Sequence, residues 1–565
     1  MGSTGIAVPE TGSRLLRRPT PFHTGATATG GIPWWDLALV TAIALAVRFI
    51  RLDHTVHVDE LTHILAARSL LEDGTLRLGE DGMLYTRARG FTYLIAAMLR
   101  LFGESVVVAR IPAVLAGTAL VAVLFVWTRS VAGRAAAWLA ALFLCLDPTA
   151  IYLSQLTRFY TIHALLFLLG AIAVFRLCTS PASAARRAAL IAGALGVFGL
   201  AYHLQVTTLI GLGGVSFAVV LLLARRETLA AVGRRWRWWL PPLLLASLPA
   251  ALVARRAVPR YLELFTYADV WAAGFADDRL YYLRFLLEGY PTMWSLLPIV
   301  LVVALYRHPR FAAFAGTIFL VAFATHSLAA WKNPRFLFYA MPFLFALWGI
   351  AAAAALRWTF RRVRVLWRSV RWPSAVPWLA TPATNASLAL VIGYLLAANS
   401  AYRLSYKMLT VDDADWAAPI LYRGEPDWAA AAAALRTVVD SSAVIMSSSD
   451  LKAFFYLGRI DVVLSATMLG SGPEFSIAPG LFRPAITQPE SVARLIACQP
   501  SGLVIVEDKH LGQTWSVPPT TADFLREHVE PLPLPAGLRL TAFRWRNPAP
   551  DASACPATVS PASSR

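Results

Sequence analysis

Val106-Val-Val-Ala-Arg-Ile-Pro-Ala-Val-Leu-Ala-Gly-Thr-Ala-Leu-Val-Ala-Val-Leu-Phe-Val-Trp127 carries one charge, Arg110, and is closed by Arg129 and Arg134. The hydrocarbon core of a bilayer is crossed by about 20 mostly apolar residues in a helix, where every backbone polar group is satisfied internally. This stretch meets that length. Outward from it the same criterion finds about eleven runs in all: 34–50, 106–127, 135–146, 161–175, 188–202, 206–223, 238–253, 293–306, 311–330, 336–356 and 388–401. The shorter ones must extend into flanking polar residues.

Composition agrees, with 57% apolar and 15% charged residues and a mean hydropathy of +0.57, far from a soluble chain. The net charge of +18 does not point to nucleic acid, because of where it sits. From Ala401 onward there are 14 Lys and Arg against 16 Asp and Glu, a net of −2, so +20 belongs to the membrane part. The basic residues also alternate, with Arg129 and Arg134, Arg186 and Arg187, 225–237, 307–310 and 357–371 in every second loop. Short loops rich in Lys and Arg stay cytoplasmic. The chain is therefore expected in the inner (plasma) membrane as a multi-pass protein. Its tail 1–33 (Arg14, Arg17, Arg18) is cytoplasmic and is not a cleaved signal, because Ser, Thr, Gly and Pro extend it beyond a signal's charged region.

The membrane domain spans 34–402, with a long first outer loop at 51–105. Within that loop 91–102 is apolar but too short to span, and reads as an amphipathic surface helix. A second outer segment, 255–291, places Tyr261, Tyr267, Trp271, Tyr281, Tyr282 and Tyr290 among charges, as headgroup-level segments do. Residues 403–565 change texture to an outer α/β domain, with a helix at 426–438, strands at 443–446 and 503–506, and a helix capped by Asp450 at 450–456. Cys498 and Cys555 both fall in this domain, where an oxidising compartment permits a disulfide without specifying one. Cys145 and Cys178 read as apolar fillers.

Residues able to do chemistry gather on the outer side. His57-Val-Asp59-Glu60-Leu-Thr-His63 puts two carboxylates between two histidines at the start of a helix. An acid–base pair has this composition, but so does a helix start with Asp59 as cap and Glu60 in the first turn. Ser154-Gln-Leu-Thr-Arg158-Phe-Tyr160-Thr-Ile-His163 offers a guanidinium fork matched to phosphate oxygens and a phenol, or else a snorkelling Arg beside an interfacial Tyr. Lys332 and Arg335 break the inside rule in a short outer loop, and Arg87 and Arg89 do so ahead of the surface helix. Carboxylates beside clustered cations fit group transfer from a lipid phosphate to a hydroxyl: the cations balance the leaving charge and a carboxylate accepts the proton. His203 and His326 stand near membrane depth. There is no Cys/His cluster at metal spacing, and the sequence specifies no cofactor.

In order and sidedness these motifs resemble the membrane glycosyltransferases of the GT-C class, in the branch holding protein O-mannosyltransferases and lipid A aminoarabinose transferases. The resemblance covers most of the first 360 or so residues. It rests on Asp59-Glu60, 67–74, Arg89-Gly90, 101–103, Arg110 to Pro112, 154–161 and Lys332 to Phe336. It implies inverting transfer from a polyprenyl-phosphate-linked sugar to a glycan, lipid or protein hydroxyl. Asp59 would be the base, and Glu60 would orient the acceptor or hold the loop. Arg158, Tyr160, Lys332, Arg335 and Arg89 would hold the donor phosphate, and His57, His63, His163 and His203 would line the substrate cavity. Where such enzymes often carry Lys-Pro-Pro ahead of the surface helix, this chain has Arg89-Gly-Phe. The rival reading is a secondary transporter of a lipid-linked or anionic substrate. Transporters place ionisable groups or broken helices near the midplane, whereas these runs are almost free of charge. A scaffold would not require the outer cations.

Overall fold

The computed structural model describes residues 34–79, 81–223, 258–259, 262–266, 277–369, 392–411 and 425–559. The 1–33 tail, the 225–237 loop, the 238–253 run, Tyr261, Tyr267 and Trp271, and the first residues of the 388–401 run lie outside these.

Helices α1 (Trp34–Phe49), α4 (Val106–Ala132), α5 (Arg134–Cys145), α6 (Pro148–Ser154), α7 (Tyr160–Thr179), α8 (Ala184–Leu204) and α9 (Thr208–Leu223) build the apolar body with Leu297–Arg307, Pro309–Leu328 and Met341–Ser369. Among the described residues five helical stretches are long and apolar enough to cross a membrane: α4, α7, α8, Pro309–Leu328 and Pro334–Arg362. A sixth results if α5 and α6, bent by 63° at Asp147, count as one. The expected runs at 206–223 and 293–306 form shorter apolar helices. Asp36 and Arg48 of the 34–50 run, and Asp147 just past the 135–146 run, are buried among these helices. Asp36 accepts from Arg129 and Arg134. Arg48 donates to Ser154 Oγ at 3.0 Å, under Gly117, where an added Cβ would fall 2.1 Å from that oxygen.

The long loop between α1 and α4 folds into α2 (Val58–Glu72), a turn bridged at Arg77 and Leu84, and α3 (Arg89–Phe102). Helix α3 buries Phe91, Ile95, Ala96 and Leu99 and exposes Tyr93, Leu94, Leu101 and Phe102. It has the two-faced character the sequence suggested.

The C-terminal region is a seven-stranded sheet: β1 (Val444–Ser447), β2 (Val462–Leu464), β3 (Ser476–Ile477), β4 (Pro484–Ile486), β5 (Ser501–Glu507), β6 (Glu530–Leu532) and β7 (Leu540–Arg546), in the order β3-β4-β2-β1-β5-β7-β6. The inner four strands are parallel and the outer three antiparallel. Alternate residues face opposite sides. Ile445, Val463, Leu503 and Ile505 enter one core, and Val444, Met446, Val462 and Val504 the other. The first core also takes Val56, Leu61, Leu65, Ala66 and Leu78 from the α1–α4 loop. The sheet region and the helix bearing Asp59 are thus packed as one body.

Two local expectations are corrected. The helix expected at 426–438 starts at Trp428, because Asp427 accepts from Ala430 N and caps it. Asp450 is the first residue of its helix rather than the cap, and no side chain caps that turn. Cys498 and Cys555 form a disulfide that pins the C-terminal turns to helix Pro489–Cys498 across 57 residues. Replacing both by Ala is expected to lower the stability of this region by about 2–4 kcal/mol, read as an earlier melting transition in a non-reducing denaturation series.

Candidate active site

The site begins with the cap of α2. His57 is extended, and its Nδ1 accepts from Asp59 N at 3.2 Å. Glu60 Oε1 in turn accepts from His57 N at 3.1 Å. This is the reciprocal box usually made by Ser or Thr with Glu. The cap is therefore His57 and not Asp59, and the Asp59 side chain is released to face across the loop.

Glu60 and Arg110 are both fully buried, and their groups are completely committed. Arg110 Nε and Nη2 donate to Glu60 Oε2 and Oε1 at 2.8 and 2.7 Å. Its remaining protons go to the carbonyls of Leu52, His54 and Thr55. Thr157 N donates to Glu60 Oε2 at 2.8 Å. Glu60 thus accepts four hydrogen bonds, which fills a carboxylate. Burial pushes its carboxyl up, but Arg110 and the two backbone amides outweigh that and hold it below its ordinary range. The pair joins the end of α1, the start of α2, α4 and the α6–α7 turn.

That turn presents Arg158. Its Nη1 donates to Asp59 O at 2.9 Å, Thr62 Oγ1 at 3.3 Å and Tyr85 OH at 3.4 Å, and its Nη2 lies 3.9 Å from Asp59 Oδ2. From 276 residues away, Arg335 Nη1 donates to Asp59 Oδ2 at 2.5 Å. Arg335 is placed by Asn333, which caps the short helix Pro334–Leu337 and is bonded to Tyr282 OH. The Tyr160 ring lies under both guanidinia, 5.7 and 5.6 Å from their carbons. Burial pushes the Asp59 carboxyl up, yet Arg158 and Arg335 hold it well below the usual carboxylate range. Its side chain keeps 30% of its exposure while Arg158 keeps 3%, so the carboxylate is the reachable face of this cluster.

The other sequence candidates divide. His63 is buried, bonded through Nδ1 to Thr92 Oγ1 and through Nε2 to Tyr85 OH, and burial pulls its pKa well down. His57 is nearly buried and likewise depressed by burial, with Asp59 and Glu425 opposing. His163 bonds Thr208 Oγ1 at 2.9 Å, and His326 bonds Tyr339 OH at 3.4 Å, deeper among the helices. His203 is exposed on the last turn of α8 rather than lining the site. Lys332 is buried and donates to Ala329 O. Its charged neighbours are Asp277 and Arg279. Arg89 is exposed at the start of α3. Arg87 bonds Gln205 Oε1 at 3.2 Å and stands 5.5 Å over the Phe159 ring.

A second buried ion cluster, invisible in the sequence, lies past the ends of β1 and β5. Lys452 pairs with Glu425 and Glu507 at 2.6 and 3.0 Å, Lys509 with both acids, and Trp428 Nε1 donates to Glu507 Oε1. Burial lowers His510, beside it, to about 4. In open α/β sheets such strand ends are where ligands bind. Here Val56 packs into the same core as Trp428 and Leu451, and the charges of Glu425 and Lys452 reach His57.

No family model and no curated protein matches the chain. Solved structures do. The chain is similar to ArnT from Cupriavidus metallidurans in the apo state, at 16% identity and a TM-score of 0.57, over 93% of this chain and 99% of that one. It is similar to the same protein bound to undecaprenyl phosphate, at 17% identity and a TM-score of 0.56, over 91% and 98%. The archaeal oligosaccharyltransferase AglB from Archaeoglobus fulgidus, in complex with an inhibitory peptide and a dolichol-phosphate, aligns at 12% identity and a TM-score of 0.54, over 84% and 69%. Together, the apolar helices, the long α1–α4 loop and the C-terminal sheet region make this a chain with the GT-C glycosyltransferase fold.

Proposed function

We propose that the chain is an inverting glycosyltransferase of the inner membrane that moves a sugar from a polyprenyl-phosphate donor to a hydroxyl of an envelope glycan, lipid or protein on the non-cytoplasmic side. The observation that carries this reading is the Asp59 carboxylate, partly exposed between Arg158 and Arg335 at the end of the apolar helices. The acceptor oxygen attacks the anomeric carbon as the bond to the phosphate oxygen breaks, the proton passes to Asp59, and polyprenyl phosphate leaves. Arg158 and Arg335, with Tyr160 beneath and Arg87 nearby, balance the charge on the departing phosphate. Glu60 holds the loop through Arg110 and takes no proton.

A carboxylate clamped by two guanidinia is a weak base. A donor phosphate that draws on the same guanidinia relaxes that hold and raises the basicity of Asp59 when donor is bound. Replacing Arg158 or Arg335 by Ala is expected to weaken binding of a polyprenyl-phosphate sugar about 10- to 100-fold, as loss of a charge-assisted hydrogen bond does. Titration of the purified chain in nanodiscs with a fluorescent donor analogue reads this. Unchanged affinity in both variants would remove the phosphate assignment. Mass spectrometry of envelope glycans and lipids from cells lacking the chain is expected to show one missing sugar, which names donor and acceptor.

A further inference from the structure

A cleft of about 530 Å³ opens where α2 meets the sheet region, and Asp59, Arg158 and Arg335 do not line it. Its walls are the far half of α2 (Leu65, Arg68, Ser69, Glu72), Leu78, Gly79, Asp81 and Gly82, the end of helix Asp450–Leu457, and loops next to β2 and β4. The volume falls within the range of sites for small organic ligands.

The lining chemistry narrows the ligand. Among the described residues it holds three guanidinia, Arg68, Arg459 and Arg483, and three carboxylates, Glu72, Asp81 and Asp461. An anion or a cation would meet as much repulsion as attraction there. A sugar hydroxyl donates and accepts at once, and so satisfies both kinds of group. Phe454 and Phe455 add the apolar surface that the C–H face of a sugar ring covers, with Arg68 already 4.5 Å over the Phe455 ring. None of the lining residues is in a strand, so an extended peptide finds no ladder to join. The turn that forms one wall is tied to the sheet region by Met83 N donating to Gly480 O at 2.7 Å, so the cleft's two sides are held together.

We propose that this cleft binds a neutral glycan, the remote part of the acceptor whose hydroxyl reacts at Asp59. The inference rests on the glycosyl-transfer reading for its purpose, but not for the binding itself. Asp59 and the cleft share one helix: at about 1.5 Å per residue, Leu65 is about 9 Å and Glu72 about 20 Å along the axis from Asp59. An acceptor spanning that distance is an extended glycan rather than a single sugar. The site thereby selects acceptors by length, through contacts remote from the reacting hydroxyl.

The test is binding of linear mannose and arabinose tetrasaccharides to the full chain in nanodiscs by calorimetry, with a neutral tetrapeptide as the other class of ligand. The expected result is that one of the tetrasaccharides binds to the wild-type chain and to Asp59→Asn alike. Binding should be about tenfold weaker in Asp81→Ala and in Arg459→Ala, each of which removes a polar partner. Asp81 is exposed, so its loss leaves the packed core intact. Equal affinity in the cleft variants and wild type, binding of the peptide instead, or binding of neither tetrasaccharide would overturn the proposal. Tetrasaccharide binding with no sugar transfer would count against the proposed reaction and leave the cleft assignment standing.

Discussion

Asp59→Asn is expected to lower sugar transfer by about 10²–10⁴-fold, the contribution of a positioned general base, with donor affinity unchanged or increased. The second half of that expectation separates the base from a mere clamp. In the free chain the Asp59 carboxylate occupies Arg158 and Arg335; the amide carries no charge and leaves both guanidinia to the phosphate. A purely structural ion pair predicts the opposite, looser arginines and weaker donor binding. The pH profile supplies an independent reading. Without donor, Asp59 stays ionised far below the usual carboxylate range, because the arginines outweigh its burial. The acid limb of kcat/KM, which reports the free enzyme, should therefore lie at lower pH than the acid limb of kcat, which reports the donor-bound state. Coincident limbs would mean that the arginines do not let go of Asp59 when the donor binds.

Glu60→Gln or Arg110→Met is expected to destabilise the chain by about 3–5 kcal/mol, since either leaves a fully buried charge without its partner. The double variant should recover part of the loss, because two apolar or neutral groups in place of a buried pair leave no charge uncompensated. Thermal melting of the purified chain measures both. The effect should reach activity as well, because Thr157 N, one residue before Arg158, bonds Glu60 directly. A Glu60→Gln chain that melts as the wild type would show that the pair does not hold the loop.

What the sequence made legible was the part written in periodicity and length. Apolar runs bounded by arginine identified α4, α7, α8 and the two long later helices. The buried β-branched runs located β1 and β5 to within a residue or a few. Asp59 was recognisable as chemistry from its paired carboxylates, Arg158 from its guanidinium fork beside Tyr160, and Arg335 because cations in outer loops are unusual. The contacts among them span 99 and 276 residues, and no local pattern encodes those. The sequence left Asp59 open between base and helix cap, because Asp is a common cap and His is not. Arg110 stood in the sequence only as the one charge of its apolar run. In the fold it turns inward and uses all its donors.

Arg87 and Arg89 point to different surroundings, with Arg87 against Gln205 and Phe159 and Arg89 exposed. Ala88 between them adopts a left-handed conformation, φ 48°, which is uncommon for a residue with a Cβ and changes the chain direction just before α3. Lys332 was paired with Arg335 by proximity in sequence, but its ammonium folds back onto Ala329 O at the end of the preceding helix. The packing of α2 into the core of the sheet region, through Leu61 and Leu65, had no sequence signature either.

The measurement that tests the central claim most directly is a single-turnover reaction. Purified chain in nanodiscs is mixed with host lipid extract carrying a radiolabelled polyprenyl-phosphate sugar and with envelope glycan acceptor, and free polyprenyl phosphate is followed alongside labelled acceptor. The account predicts that the two appear in equal amounts with the wild-type chain and that both appear about 10²–10⁴-fold more slowly with Asp59→Asn. Donor lipid moved intact across the bilayer of a sealed vesicle, with its sugar–phosphate bond unbroken in both preparations, would contradict it and make the chain a transporter.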